Sequence, residues 1–300
     1  MRKIRIIGCV CFLILNTCVY AQNSYFAPSK GLKIHYQVLG FGEPVLIING
    51  GPGFSSEGFL PLARKIASLG YQAILYDQRG TGKSSIQPLD STTITMDLMN
   101  ADIEAIRKHL GCEKWIVLGH SFGGIMAYYY ASKYPEKVKG MIQSSSGGID
   151  LTLLSTSGIL SRLTAQERDS LQYWNTRISE HIAGAREHYY SYLARAYVYD
   201  KSHVAAVTER LLQGNLFLNG LVWQDLRRIN YDCKEQLKSF QGPVLIIQGQ
   251  QDVVSMELAE IAERTLPNSE VVILPECGHY GWLDQEAKYF SAIASFLDTF

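Results

Sequence analysis

WIVLGHSFGG, residues 115–124, joins an apolar run to a serine set between glycines. Trp115 to Leu118 is apolar at every position, the pattern of a strand buried on both faces. From Phe122 to Tyr134 the spacing is helical, so Ser121 falls at a sharp strand-to-helix turn. Gly119 and Gly123 let the backbone pass closely there, completing G-x-S-x-G in the context that gives the motif meaning. Such a turn presents the serine hydroxyl at the carboxyl end of a strand, the edge at which parallel sheets bind ligands.

Outward from this turn the chain alternates strand and helix. IHYQVL (34–39), VLIIN (45–49), AILY (73–76) and MIQSS (141–145) read as strands, with helices expected over 57–69 and 95–110. Residues 150–235 break the rhythm with mainly helical periodicity. It resumes with VLIIQG (244–249), a helix over 256–265, VVIL (271–274) and a helix over 285–300. This predicts an α/β protein with a mostly parallel sheet covered by helices on both faces. Residues 22–149 and 236–300 would form the two parts of the core, and 150–235 an inserted helical lid.

A serine hydroxyl needs a base to take its proton, and the base needs an acid to orient it. Asp252 follows the strand VLIIQG and His279 follows VVIL, so both fall at the same sheet edge as Ser121, in the order Ser…Asp…His. Asn49-Gly50-Gly51-Pro52-Gly53 follows VLIIN, and with Phe122 it offers a place for two N–H groups to hold a developing oxyanion: Gly51 and Phe122. Asp77, in YDQRG, also ends a strand but precedes the serine, which favours a structural turn role. His120 would point into the fold, a packing position. His35, His109, His181, His188 and His203 lack a strand-end setting. Gly80-Thr81-Gly82-Lys83-Ser84 ends like a phosphate loop, but the required first glycine is Asp77, so that reading fails. No metal cluster or cofactor motif is present in the sequence, and no cofactor is expected.

The 300 residues hold 28 basic and 28 acidic side chains with 47% hydrophobic content, enough for a large core. Zero net charge argues against a nucleic-acid binder. Arg2, Lys3 and Arg5 precede an apolar stretch to Leu15, and Val19-Tyr20-Ala21 offers a cleavage site, so residues 1–21 read as a secretory signal peptide and the protein as exported, periplasmic or secreted. The stretch is too short and too broken by Asn16 for a membrane anchor, and no span is expected in the mature chain. A lipoprotein signal on Cys18 is disfavoured by Asn16 and Thr17. Beyond residue 21 only Cys112, Cys233 and Cys277 remain, neither a zinc pattern nor a disulfide framework. Cys277, two residues before His279, is read as a small space-filling residue, the alternative being a thiol at the mouth of the site.

These motifs resemble the α/β-hydrolase fold and, within it, the proline iminopeptidase family of serine aminopeptidases. NGGPG (49–53), DQRGTGKSS (77–85), GHSFGG (119–124), Asp252 and Gly278-His279 carry the resemblance. It implies release of an N-terminal residue, typically proline, from short peptides. Asn49 stands where the family usually has His, and Phe122 where it usually has Trp. The family holds the substrate's amine with lid glutamates; the nearest match here is Gln213-Gly214-Asn215-Leu216-Phe217, a neutral amide where an acid is expected. Gln213, Glu209 and Asp225 are the candidate substrate contacts. A carboxylesterase or other small-acyl hydrolase on the same triad is the alternative, and a non-catalytic, lid-gated binding protein is a third reading. The sequence does not fix the oligomeric state.

Overall fold

A computed structural model of the chain describes residues 22–153 and 157–300. The expected signal segment, 1–21, lies outside the described residues. Eight strands form one sheet in the order β1-β2-β4-β3-β5-β6-β7-β8. They are β1 (Gln22–Ser29), β2 (Leu32–Leu39), β3 (Pro44–Ile48), β4 (Gln72–Tyr76), β5 (Trp115–His120), β6 (Val138–Ser144), β7 (Val244–Gly249) and β8 (Ser269–Leu274). β2 pairs antiparallel with both β1 and β4, while β4, β3, β5, β6, β7 and β8 are mutually parallel.

The two-residue period of the strands builds two cores. Leu46, Ile48, Ile74 and Val117 face one side, where Met99, Ile103 and Ile106 of the helix Met96–His109 and the helix Phe122–Lys133 cover them. Val45, Ile47, Leu75 and Leu118 face the other, under Leu62 and Ile66 of the helix Leu60–Ser68 and Tyr289, Ile293 and Leu297 of the helix Glu286–Leu297. Full burial on both faces explains the apolar runs Val45–Ile48 in β3, Ala73–Tyr76 in β4, Trp115–Leu118 in β5 and Val244–Ile247 in β7. The helix expected over 57–69 begins as a 3₁₀ turn, Glu57–Phe59, and only becomes α-helical at Leu60. The last expected helix is divided, with a short turn at Gly281–Asp284 before Glu286–Leu297.

Between β6 and β7, themselves hydrogen-bonded neighbours, lie helices Ser157–Ser161, Ala165–Ser179, Ala185–Ala194, Val204–Leu212, Leu216–Arg228 and Lys234–Leu237. Thr164 starts the second of these with a capping box: its side chain accepts from the Glu167 N–H while Glu167 accepts from the Thr164 N–H. Among the described residues no helix is long and apolar enough to cross a membrane.

Candidate active site

Because β3, β5, β7 and β8 are parallel, their carboxyl ends gather Gly51, Ser121, Asp252 and His279 at one edge. Ser121 has φ 54° and ψ −119°, a conformation costly for any residue with a Cβ. Its surroundings hold it there: Ser121 N–H donates to Ser144 O at 3.0 Å, and Ser121 O accepts from Gly124 N at 2.9 Å and Gly147 N at 3.0 Å. The flanking glycines are required by space. A Cβ on Gly123 would lie 2.0 Å from Ile48 O, and one on Gly119 2.3 Å from Gly123 O.

Asp252 and His279 are both buried, with His279 Nδ1 2.7 Å from Asp252 Oδ1. The same oxygen accepts from Val254 N at 3.0 Å, and Oδ2 accepts from Gln248 Nε2 at 3.0 Å. The carboxylate is therefore fully engaged and fixes the plane of the ring. Two residues between β6 and β7 clamp the main chain behind this pair. Tyr197 O accepts from His279 N–H at 2.7 Å, and Arg162 Nε donates to Asp252 O at 2.8 Å.

Ser121, Phe122, Gly51 and His279 line one cavity of about 600 Å³. Gly51 has φ +71°, and a Cβ there would strike the Phe54 ring at 2.4 Å, so the loop after β3 depends on glycine at this point. Phe122 opens its helix, whose first N–H groups lack intrahelical partners. His120 is buried against Trp282, Tyr280 and Phe59, with its ring 4.7 Å from that of His279. Burial, and then the proximity of His279 and Arg210, holds its pKa well below the usual histidine value. It packs, as its position in the turn suggests.

A second serine–histidine–aspartate chain runs across the β1–β2 edge of the sheet. Ser24 Oγ lies 2.7 Å from His35 Nε2, and His35 Nδ1 2.9 Å from Asp77 Oδ2. Ser24, however, is an exposed residue of the edge strand β1, outside the cavity. Asp77 also accepts from Ser56 N–H at 2.9 Å, Ser56 Oγ at 2.8 Å and Lys83 N–H at 2.9 Å. It ties the loops after β3 and β4 together, a structural role.

The three candidate substrate contacts are not brought to the cavity. Asp225 is buried elsewhere: Oδ2 accepts from Met96 N–H at 2.8 Å and Oδ1 pairs with Arg228 at 2.7 Å, so it joins two helices. Glu209 and Gln213 are exposed and outside the lining. The helices that carry them instead present Arg210 and Arg227 to the cavity, beside Asn219 and Trp223, and among the described residues no Asp or Glu lines it. Arg210 escapes a reading by spacing because only the tertiary placement of its helix decides where a long side chain ends; its one local signal is its place three residues after the buried Val207. Cys277 is buried and outside the lining, the space-filling role.

Residues 43–285 match the family described as the alpha/beta hydrolase fold. The chain is 26% identical to a proline iminopeptidase of Saccharolobus solfataricus, over 89% of this chain and 90% of that protein. It is 30% identical to one of Lactobacillus delbrueckii subsp. lactis, over 85% and 90%. The crystal structure of the Mycobacterium smegmatis proline iminopeptidase superposes with a TM-score of 0.74 at 18% identity, covering 92% of this chain and 98% of that one. With the fold and the sequence matches in agreement, the chain belongs to the alpha/beta hydrolase family and is a relative of the proline iminopeptidases.

Proposed function

We propose that the protein is a serine hydrolase that transfers a small acyl group to water through an acyl-enzyme on Ser121. The observation that carries this is the buried His279–Asp252 pair opening onto the same cavity as a serine in a strained elbow. With Nδ1 held by Asp252, His279 has Nε2 free to take the Ser121 proton as Oγ attacks the carbonyl. The N–H groups of Phe122 and Gly51 would receive the oxyanion, each worth roughly 3–4 kcal/mol in the transition state. His279 then returns the proton to the leaving group, and water repeats the sequence to free the acid. Residues 150–235 act as a lid over this site, and the basic–apolar start of the chain supports export after cleavage at Ala21.

Release of N-terminal proline is the substrate reading that the relatives support. One observation favours the second reading, hydrolysis of small esters. An aminopeptidase binds an ammonium group, yet among the described residues the cavity is lined by two arginines and no carboxylate. Like charges 4 Å apart repel by about 4 kcal/mol near a protein surface.

The test is a fluorophosphonate probe on wild type and Ser121→Ala, followed by prolyl-2-naphthylamide beside 4-nitrophenyl esters. Labelling confined to wild type is the expected result. No labelling of folded wild type would leave a binding protein in place of an enzyme. Preference for the free prolyl amide, abolished by blocking its amine, would decide for the aminopeptidase.

A further inference from the structure

We propose that Arg210 and Arg227 form an anion subsite, so that the preferred substrate carries a free carboxylate on its acyl portion. This rests on the acyl-enzyme reading above and assigns the substrate class of that site.

Arg210 leaves the helix Val204–Leu212 and places its guanidinium 4.9 Å from the centroids of both the Phe54 and the Phe59 ring. Nη2 donates to Gly50 O at 3.1 Å, in the loop that also carries Gly51. Nη1 is buried and has no hydrogen-bond partner. Gly58 makes room for it, since a Cβ there would lie 2.4 Å from Nη1. Burial draws the guanidinium pKa down, with the Tyr280 hydroxyl as its polar neighbour. Among the described residues no carboxylate stands within ion-pair distance.

That arrangement is costly without a ligand. A half-buried cation that lines a cavity with no carboxylate beside it gains from a counter-charge there, and contact with two aromatic rings meets only part of that need. The two ring contacts and the bond to Gly50 O hold the guanidinium in place, and a guanidinium so held at the cavity wall suits a carboxylate. Arg227, on the helix Leu216–Arg228, is exposed and lines the same cavity, whereas its neighbour Arg228 is paired with Asp225. An exposed cation and a half-buried one on the same cavity would draw an anion inward. Asn219 and Trp223, from the same helix face, supply polar and apolar wall for the chain between carboxylate and scissile carbonyl.

The experiment compares mono-4-nitrophenyl adipate with 4-nitrophenyl hexanoate, which share chain length and leaving group and differ in the terminal charge. Wild type should favour the adipate in kcat/KM by about tenfold or more, the scale of one hydrogen bond to a charged group. Arg210→Gln should remove most of that ratio and Arg210→Lys restore part of it. Arg227→Gln should lower the ratio less and weaken its dependence on salt. Adipate itself should compete for wild type and fail against Arg210→Gln. Equal kcat/KM for the two esters in wild type, or a ratio unchanged in Arg210→Gln, would overturn the proposal. Thermal melting of each variant separates misfolding from lost selectivity. Fluorophosphonate labelling of Ser121 in the same samples distinguishes failure of the subsite from failure of the acyl-enzyme reading.

Discussion

Asp252 Oδ1 and His279 Nδ1 stand 2.7 Å apart inside the protein, on loops that follow neighbouring strands. The carboxylate has no exposed edge through which water could reorient it. Replacing Asp252 by Asn keeps the shape and offers an N–H to the ring, inviting the wrong tautomer. On the proposed mechanism kcat should fall by about 10⁴-fold. Steady-state kinetics of Asp252→Asn, with melting as the folding control, checks this; activity within tenfold of wild type would remove Asp252 from the triad.

Asp225 makes a contrasting case. It accepts the N–H that opens the helix Met96–His109, so Asp225→Ala strands a buried donor. The expected cost is about 1–3 kcal/mol in unfolding free energy. The KM for any substrate should hold steady, because the residue lies outside the cavity. Urea unfolding and KM on the same variant give both numbers, and a large KM increase with normal stability would reinstate Asp225 as a substrate contact.

His120 links stability to pH. Its folded-state pKa lies below the unfolded value because burial and the nearby His279 and Arg210 oppose a charge. Below about pH 6.5 the unfolded chain therefore binds a proton that the folded chain refuses, and stability falls as pH drops through that range. At higher pH both states are neutral and the difference vanishes. His120→Phe should flatten this part of the curve, measured by denaturant unfolding at pH 5 and pH 7.5. Parallel curves for the two proteins would refute the assignment.

Cys277 should resist thiol reagents. Burial, with Asp284 and Asp252 nearby, pushes its thiol up to about 12, so thiolate is scarce at neutral pH. Cys112, partly exposed before β5, should take N-ethylmaleimide first and leave turnover intact. Peptide mapping identifies the modified residue. Rapid loss of activity with labelling at Cys277 would place that thiol at the mouth after all.

Strands buried on both faces announce themselves, which is why β3, β4, β5 and β7 are legible as apolar runs. β1 is not. Five of its first five residues are exposed and its composition is mixed, because an edge strand needs only a partner for its backbone. The serine, aspartate and histidine were legible because the rule that places them concerns strand ends, which local patterning reveals. The cavity wall obeys no such rule. Arg210 and Asp225 lie fifteen residues apart in one helical region, and only Asp225 was a candidate, yet Arg210 enters the cavity while Asp225 accepts the first N–H of the helix Met96–His109. Gln248 was hidden within an apolar strand, although it holds the aspartate's second oxygen.

The clamps from Tyr197 and Arg162 bear on how such a protein could acquire a new specificity. A region that only roofed the cavity could be exchanged for a foreign one without penalty to the chemistry beneath. Here the same region grips the backbone of both the histidine and the aspartate. The Tyr197 contact uses a carbonyl that any residue could supply, so a graft must reproduce only a main-chain path. The Arg162 contact needs a particular side chain. A chimaera that kept Arg162 and the course of the chain through 197 would inherit a working edge, and one that lost them would have to rebuild it.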